Sequence, residues 1–280
     1  MSNKDLLENI KKLREITGVG FKDCKLAIDE SNGDLEKSIE FLRKKGIAKA
    51  SKKMTRTAAE GLTLLTQKNG EVSLIEINSE TDFVAKNNDF ISFCKEISEI
   101  CFSQKGDLEK INFTNMKNNI SVKDNLIDLI AKIGEKITLR RSKFFDNKSG
   151  NNFCYVHSAI EKNIGKISSV VKLDKVEQDN DIGNKLAMHI AASNPLAIDK
   201  DGLDKNILTK ELEIIKAELL NSGKKPEMIE KISQGKLNKF ISDNTLLNQI
   251  WIMDPKKKVS DILKDSKVLE FIRYRVGEGI

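Results

Sequence analysis

The chain has 280 residues, of which 39% are hydrophobic, 5% aromatic and 32% charged, with a formal net charge of +6. That length holds two or three modules with real cores, and Lys and Glu are too evenly mixed along most of it for the concentrated basic stripe of a nucleic-acid binder. No apolar run approaches a membrane span, the polar opening from Met1 to Leu13 carries no secretory signal, and a cytoplasmic location is expected.

Ser2 or Asn3 can cap a first helix carrying Leu6, Ile10 and Leu13 at helical spacing. It stops at Thr17-Gly18-Val19-Gly20, where two glycines permit a tight loop and Val19 either shows itself to solvent or plugs the local core. A second helix runs from about Phe21 to Ser31, and Asp34 caps a third with Leu35, Ile39 and Leu42 inward. These three helices make a small bundle over residues 1–46. Arg43, Lys44, Lys45, Lys49, Lys52, Lys53 and Arg56 then follow with no acid among them. The stretch reads either as a solvated linker, residues 47–58, after a helix end whose dipole favours cations, or as a surface for an acidic or phosphate-bearing partner.

Gly61 to Gln67 and Glu71 to Asn78 flank Lys68-Asn69-Gly70, and Asn-Gly between strand-like runs signals a hairpin. Val72 to Asn78 alternates apolar and polar, as a half-buried strand does. Asp89 to Cys101 has the period of a helix, with Phe90, Phe93, Cys94, Ile97 and Cys101 on one face. Ser79 to Asn87 is therefore a strand-to-helix corner, in which Thr81 or Asp82 can cap the turn that follows. Capping does not explain Phe83, a large aromatic placed beside the carboxylate. Ser121 to Ile133 is a helix ending at Gly134, and Lys136 to Phe145 is a strand. Residues 59–146 thus form one α+β unit.

A second unit spans 147–198 and 244–280. Phe153, Tyr155 and His157 fall on one face of a strand. Lys166 to Leu173 is its partner, and a helix from Asp181 ends before Asn194-Pro195 with His189 near its apolar face. Residues 199–243 interrupt this unit. Leu208, Leu212, Ile215 and Leu219, then Ile229, Ile232, Leu237 and Phe240, make two amphipathic helices, the second restarting at Lys224-Lys225-Pro226, joined as an antiparallel hairpin. Leu246 to Met253 reads as a strand or a helix end, Ser260 can cap a short helix, and Val268 to Val276 is a last strand.

Cys24, Cys94, Cys101 and Cys154 form no CxxC pair, and with only His157 and His189 no zinc site or other cofactor is expected. The thiols read as buried and reduced. No GxxxxGK[ST] phosphate loop, GxSxG elbow or nucleophile–base spacing appears, so enzymatic chemistry is not expected.

Thr81-Asp82-Phe83-Val84-Ala85-Lys86 resembles the signature of the elongation factor Ts family. So do Leu13 to Gly20 with Asp23-Cys24-Lys25, Ala187 to Ser193, and Phe271 to Gly279, in the family's order along nearly the whole chain. The resemblance implies an α+β fold with an N-terminal ubiquitin-associated-like three-helix bundle, a two-part core and an inserted helical hairpin. It implies a guanine-nucleotide exchange factor without catalysis of its own, acting on elongation factor Tu with bound GDP. Asp82 and Phe83 would enter near the partner's magnesium, with Thr81 and Val84 fixing the corner. Thr17, Gly18, Val19 and Gly20 would meet the partner's GTPase domain, and Tyr155 and His157 its barrel domains. The hairpin would contribute to a homodimer. Many relatives continue past Gly279 into a helix that touches the GTPase domain, a contact not expected here. Neither membrane nor direct nucleic-acid binding is implied. Two readings compete: an RNA- or ribosome-binding module using the basic stretch, and an adaptor whose bundle holds a ubiquitin-like surface.

Overall fold

Leu13, fully buried, sits at the centre of the first core, with Ile10, Cys24, Ala27, Ile28 and Leu42 around it. In the computed structural model, which describes residues 3–175, 181–223 and 225–280, that core belongs to helices α1 (Asn3–Thr17), α2 (Phe21–Glu30) and α3 (Leu35–Lys53). Asp34 caps α3 by accepting the Lys37 N–H at 3.1 Å. A cap at Ser2 and the restart at Lys224 lie outside the described residues.

Helix α3 corrects the linker expectation, because it continues as far as Lys53. Its second half is a packed surface: Gly46 and Ala50 are buried one turn apart. A Cβ added at Gly46 would meet the Ala131 methyl at 3.3 Å. The cations around this half are largely committed. Arg43 pairs with Asp124 at 2.7 Å and Lys45 with Asp23 at 3.0 Å, while Lys53 donates to the Gly134 carbonyl. The side chain of Lys49 lies outside the described residues.

Strands β1 (Glu60–Lys68) and β2 (Glu71–Ser79) form the expected hairpin. Asn69 and Gly70 both take positive φ, 51° and 79°, as a two-residue hairpin turn requires. β2 is buried almost from end to end rather than on one face, which corrects the half-buried reading. After it come α4 (Asp82–Ala85), α5 (Asn88–Ser103), α6 (Leu108–Phe113), α7 (Val122–Ile133) and β3 (Ile137–Phe145), with strand order β3-β2-β1. Ser121 caps α7 through the Asp124 N–H at 3.1 Å.

The chain divides into two compact units. One runs to Gln67 and adds Ser73–Phe144 and Arg275–Ile280; the other comprises Lys68–Val72 and Phe145–Tyr274. In the second, β4 (Asn151–His157) pairs antiparallel with β6 (Ile167–Leu173), and β7 (Val268–Arg275) lies on the other side of β6; β5 is only Ile164–Gly165. Helix α8 (Asp181–Ser193) lies on this sheet so closely that a Cβ at Gly183 would stand 2.2 Å from the Phe153 ring. Val171, Leu186, Ile190, Leu246 and Trp251 fill the core beneath it.

Helices α9 (Lys205–Asn221) and α10 (Pro226–Asn244) form the hairpin, held by Ile215, Leu219 and Ile229, with Ile232 and Leu237 packed against them. Leu246 to Asn248 is a 3-10 turn, and the last helix α11 is Val259–Leu263, so Ser260 lies inside it rather than at its cap; Asp261 accepts the Lys258 N–H at 2.8 Å just before it. The fold is α+β. Among the described residues no helix is long and apolar enough to cross a membrane, and no cluster of His, Cys, Asp or Glu could hold a metal.

Candidate functional site

The corner at the end of β2 leaves one large apolar side chain in water. Phe83 is 79% exposed, while its neighbours Val84 and Ala85 are 6% and 2% exposed. A four-residue helix forces this split, since consecutive side chains point about 100° apart and only part of the turn faces the core. Val84 and Ala85 anchor the turn, and Phe83 stands on its outer side. Exposing an aromatic costs roughly 2 kcal/mol of burial that a core position would recover, so packing does not account for its placement.

Asp82 and Lys86 sit four residues apart and pair at 2.8 Å, both substantially exposed. The pair raises the Lys86 pKa, through the hydrogen bond to Asp82 first and its charge second. Thr81 is the residue before α4, but its side chain makes no cap bond there, which corrects the capping expectation. Its hydroxyl instead donates to Glu135 Oε1 at 2.8 Å, and its N–H donates to Glu135 Oε2 at 3.0 Å. The cap of α5 is Asn87, whose side-chain oxygen accepts from the N–H groups of Asp89 and Phe90. Glu80 accepts the Lys136 N–H at 2.6 Å and faces Arg56 at 3.3 Å. Burial pushes its carboxyl up, but those bonds outweigh it and the pKa lies below the ordinary value. Sequence spacing could not reveal Glu135, which lies 54 positions from Thr81.

The loop Thr17-Gly18-Val19-Gly20 belongs to the same unit. Thr17 bonds back to the Leu13 carbonyl at 2.7 Å, and half-buried Val19 packs against the bundle core. Gly18 has φ 65°, and a Cβ there would meet Lys132 Cε at 2.8 Å. Lys132 in turn pairs with Asp89 at 2.8 Å, at the start of α5. Thr17, Asp89, Phe93, Asp128 and Lys132 line one cleft of about 350 Å³. The N-terminal loop and the helix that follows the corner are therefore neighbours.

Tyr155 and His157 lie in the other unit. They share a face of β4, with the Tyr155 hydroxyl 3.2 Å from His157 Nδ1 and the His157 side chain exposed. His189 is fully buried instead. It stacks on Trp251 with ring centroids 5.2 Å apart and bonds Gln249 through Nε2 at 2.9 Å. Cys24, Cys94 and Cys101 are buried free thiols, and burial pushes Cys101 up to about 12. Cys154 is half-buried rather than fully buried.

A family model described as "Elongation factor TS" matches residues 80–278. The chain is 40% identical over 282 residues to a protein of Nitrobacter hamburgensis named "Elongation factor Ts", covering 97% of this chain and 92% of that one. Proteins of the same name from Methylobacterium sp. and Xanthobacter autotrophicus are 39% and 38% identical over 283 residues, with the same coverage.

Proposed function

The chain belongs to the elongation factor Ts family of translation elongation factors, and from that membership we propose that it is the guanine-nucleotide exchange factor of elongation factor Tu. A GTPase holds GDP through its phosphate loop and a magnesium ion. Displacing the metal leaves phosphate charge uncompensated and weakens the nucleotide. Phe83 is the wedge, bringing apolar area into a cleft near that ion. Asp82 is the polar group that reorders the ion's supporting shell, and an exposed pair with Lys86 is cheap to exchange for a new partner. Thr81 and Val84 hold the corner. Thr17 to Gly20 press from the phosphate side, and Tyr155 and His157 meet the barrel domains.

The observation that carries this reading is Phe83, exposed on a turn whose two other apolar residues are buried. No chemistry of the protein's own is required, and the site of action is the cytoplasm. The hairpin, with Ile214 and Leu220 exposed, is where we place a homodimer contact.

Linkage constrains the scheme, because a factor that weakens GDP must be weakened by GDP in the same ratio. A ten-thousandfold effect needs roughly 5.5 kcal/mol of differential binding, more than one loop supplies, so the bundle and both core units must share the interface. Stopped-flow release of a fluorescent GDP from purified elongation factor Tu tests the proposal. Release should accelerate and saturate with factor concentration, and excess GDP should dissociate the complex. Release at the intrinsic rate would refute it.

A further inference from the structure

Two carboxylates cross at the base of the corner. Glu80 accepts the Lys136 N–H at 2.6 Å, and Glu135, one residue before Lys136, accepts both the N–H and the hydroxyl of Thr81, one residue after Glu80. Each segment grips the other's backbone through a bond to a charged acceptor, the stronger kind. The Lys136 ammonium extends the grip to the end of α3, donating to the carbonyls of Met54 at 2.7 Å and Arg56 at 2.8 Å.

Thr81 immediately precedes α4. A helix of four residues has too few internal bonds to hold its own direction, and Thr81 makes no cap bond to it. The angle at which Phe83 leaves the surface is therefore set on one side by what holds Thr81, namely the Glu135 carboxylate and the Ser79 hydroxyl that donates to the Thr81 carbonyl at 3.0 Å, and on the other by the buried pair Val84 and Ala85.

We infer that Glu135 is a positioning residue for nucleotide exchange: its carboxylate fixes Thr81, and through Thr81 the direction of Phe83. The inference rests on Phe83 being the wedge. Glu135 acts through Thr81, to which both its oxygens are bonded, and keeps the wedge from sampling directions that miss the cleft. Misplacing a working group by about 1 Å can cost a hundredfold in rate, so loosening rather than removing Phe83 should cost about tenfold.

The test uses the full chain and its partner GTPase with fluorescent GDP. The release rate is followed against factor concentration, giving a plateau and a half-saturation point. Fluorine NMR of protein carrying fluorinated phenylalanine, with the Phe83 signal assigned from Phe83→Ala, reports the order of the side chain in the free protein. Glu135→Ala should lower the plateau about tenfold, shift half-saturation by less than about threefold, and sharpen the Phe83 signal. Glu135→Gln should recover most of the plateau, because the amide oxygen accepts the Thr81 N–H while the amide group donates to the hydroxyl. Glu135→Asp, one methylene shorter, should fall between, which keeps the test open if Glu135→Ala does not fold. Thr81→Ala added to Glu135→Ala should cost nothing further, as expected for two residues sharing one interaction. An unchanged plateau in Glu135→Ala, an unchanged Phe83 signal, or losses that multiply would overturn the inference. A full plateau in Phe83→Ala would instead overturn the wedge reading on which it rests.

Discussion

The carboxylate of Glu76, fully buried in β2, accepts the N–H of Gly277 at 2.9 Å and so ties the end of the chain to a central strand. Arg140 at 2.9 Å, Arg141 at 2.5 Å and the Asn78 amide at 3.0 Å complete its shell. Burial pushes this carboxyl up, yet the four donors outweigh it and the pKa is lowered.

Replacing Glu76 by Gln leaves two cations without their carboxylate. Both arginines reach solvent in part, so the loss should sit near the low end of the range for a broken buried pair, about 3 kcal/mol by urea denaturation. The native carboxylate contributes stability that is complete above its unfolded value, near pH 4.5. That contribution is lost as pH falls through the lowered folded value. Glu76→Gln should therefore flatten the acid limb of a stability–pH curve, and an unchanged limb would contradict the assignment.

Phe83→Ala separates folding from function. With 79% of the side chain in water, its removal should change stability by less than about 0.5 kcal/mol. On the proposed wedge reading, GDP release from elongation factor Tu should slow by about tenfold or more while the complex still forms, because an interaction made only on the way to release is lost from the rate and not from the binding. Thermal melting beside stopped-flow release checks both halves.

Gly183→Ala sets two effects against each other. Alanine is favoured over glycine by about 1 kcal/mol in a helix interior, and by less in the first turn of α8, where Gly183 stands. Its methyl would stand 2.2 Å from the Phe153 ring, and forcing that contact apart costs about 1–3 kcal/mol. We expect net destabilisation of the second unit, accompanied by a shift of the aromatic NMR signals of Phe153. A stabilised variant would mean that α8 can rise from the sheet without cost.

His189 should make the second unit acid-sensitive. Burial lowers its pKa, with the Gln249 bond opposing only in part. Its Nδ1 accepts the Ile252 N–H at 3.4 Å, and Gln249 passes the connection on to the Asp243 carbonyl at 2.8 Å, at the foot of α10. A histidine with a depressed folded pKa contributes stability present above its unfolded value of about 6.5 and lost as pH falls through the folded value. Calorimetry should show the second unit's transition falling as pH drops below about 6.5, and His189→Gln should remove that slope.

Local chemistry made much of the fold readable. Asn69-Gly70 demanded its turn, Ser121 and Gly134 bracketed α7, and the leucines and isoleucines of α9 and α10 kept a helical period. The same local view failed at α3, where a run of cations looked like solvated linker. What holds it there is Gly46 meeting α7, whose Ala131 lies 85 positions on in the chain, with Ala50 buried one turn later. At the candidate site, Phe83 stood out in the sequence because no local role explained it, and it is exposed in the fold. Thr81 misled, because a hydroxyl before a helical turn suggests a cap. Its true acceptor, Glu135, is brought to it only by the return of the chain into β3.

Helix α3 has a mechanical consequence. A pliable tether would let the bundle find its landing place by searching, and the entropy of that search would be charged against affinity. A rod lying along α7 surrenders that freedom during folding instead. If Gly18 and Phe83 are the two points of contact proposed above, they then meet the partner at a fixed span, like the points of a pair of dividers set before use, and a switch protein whose own span differs should be refused rather than accommodated.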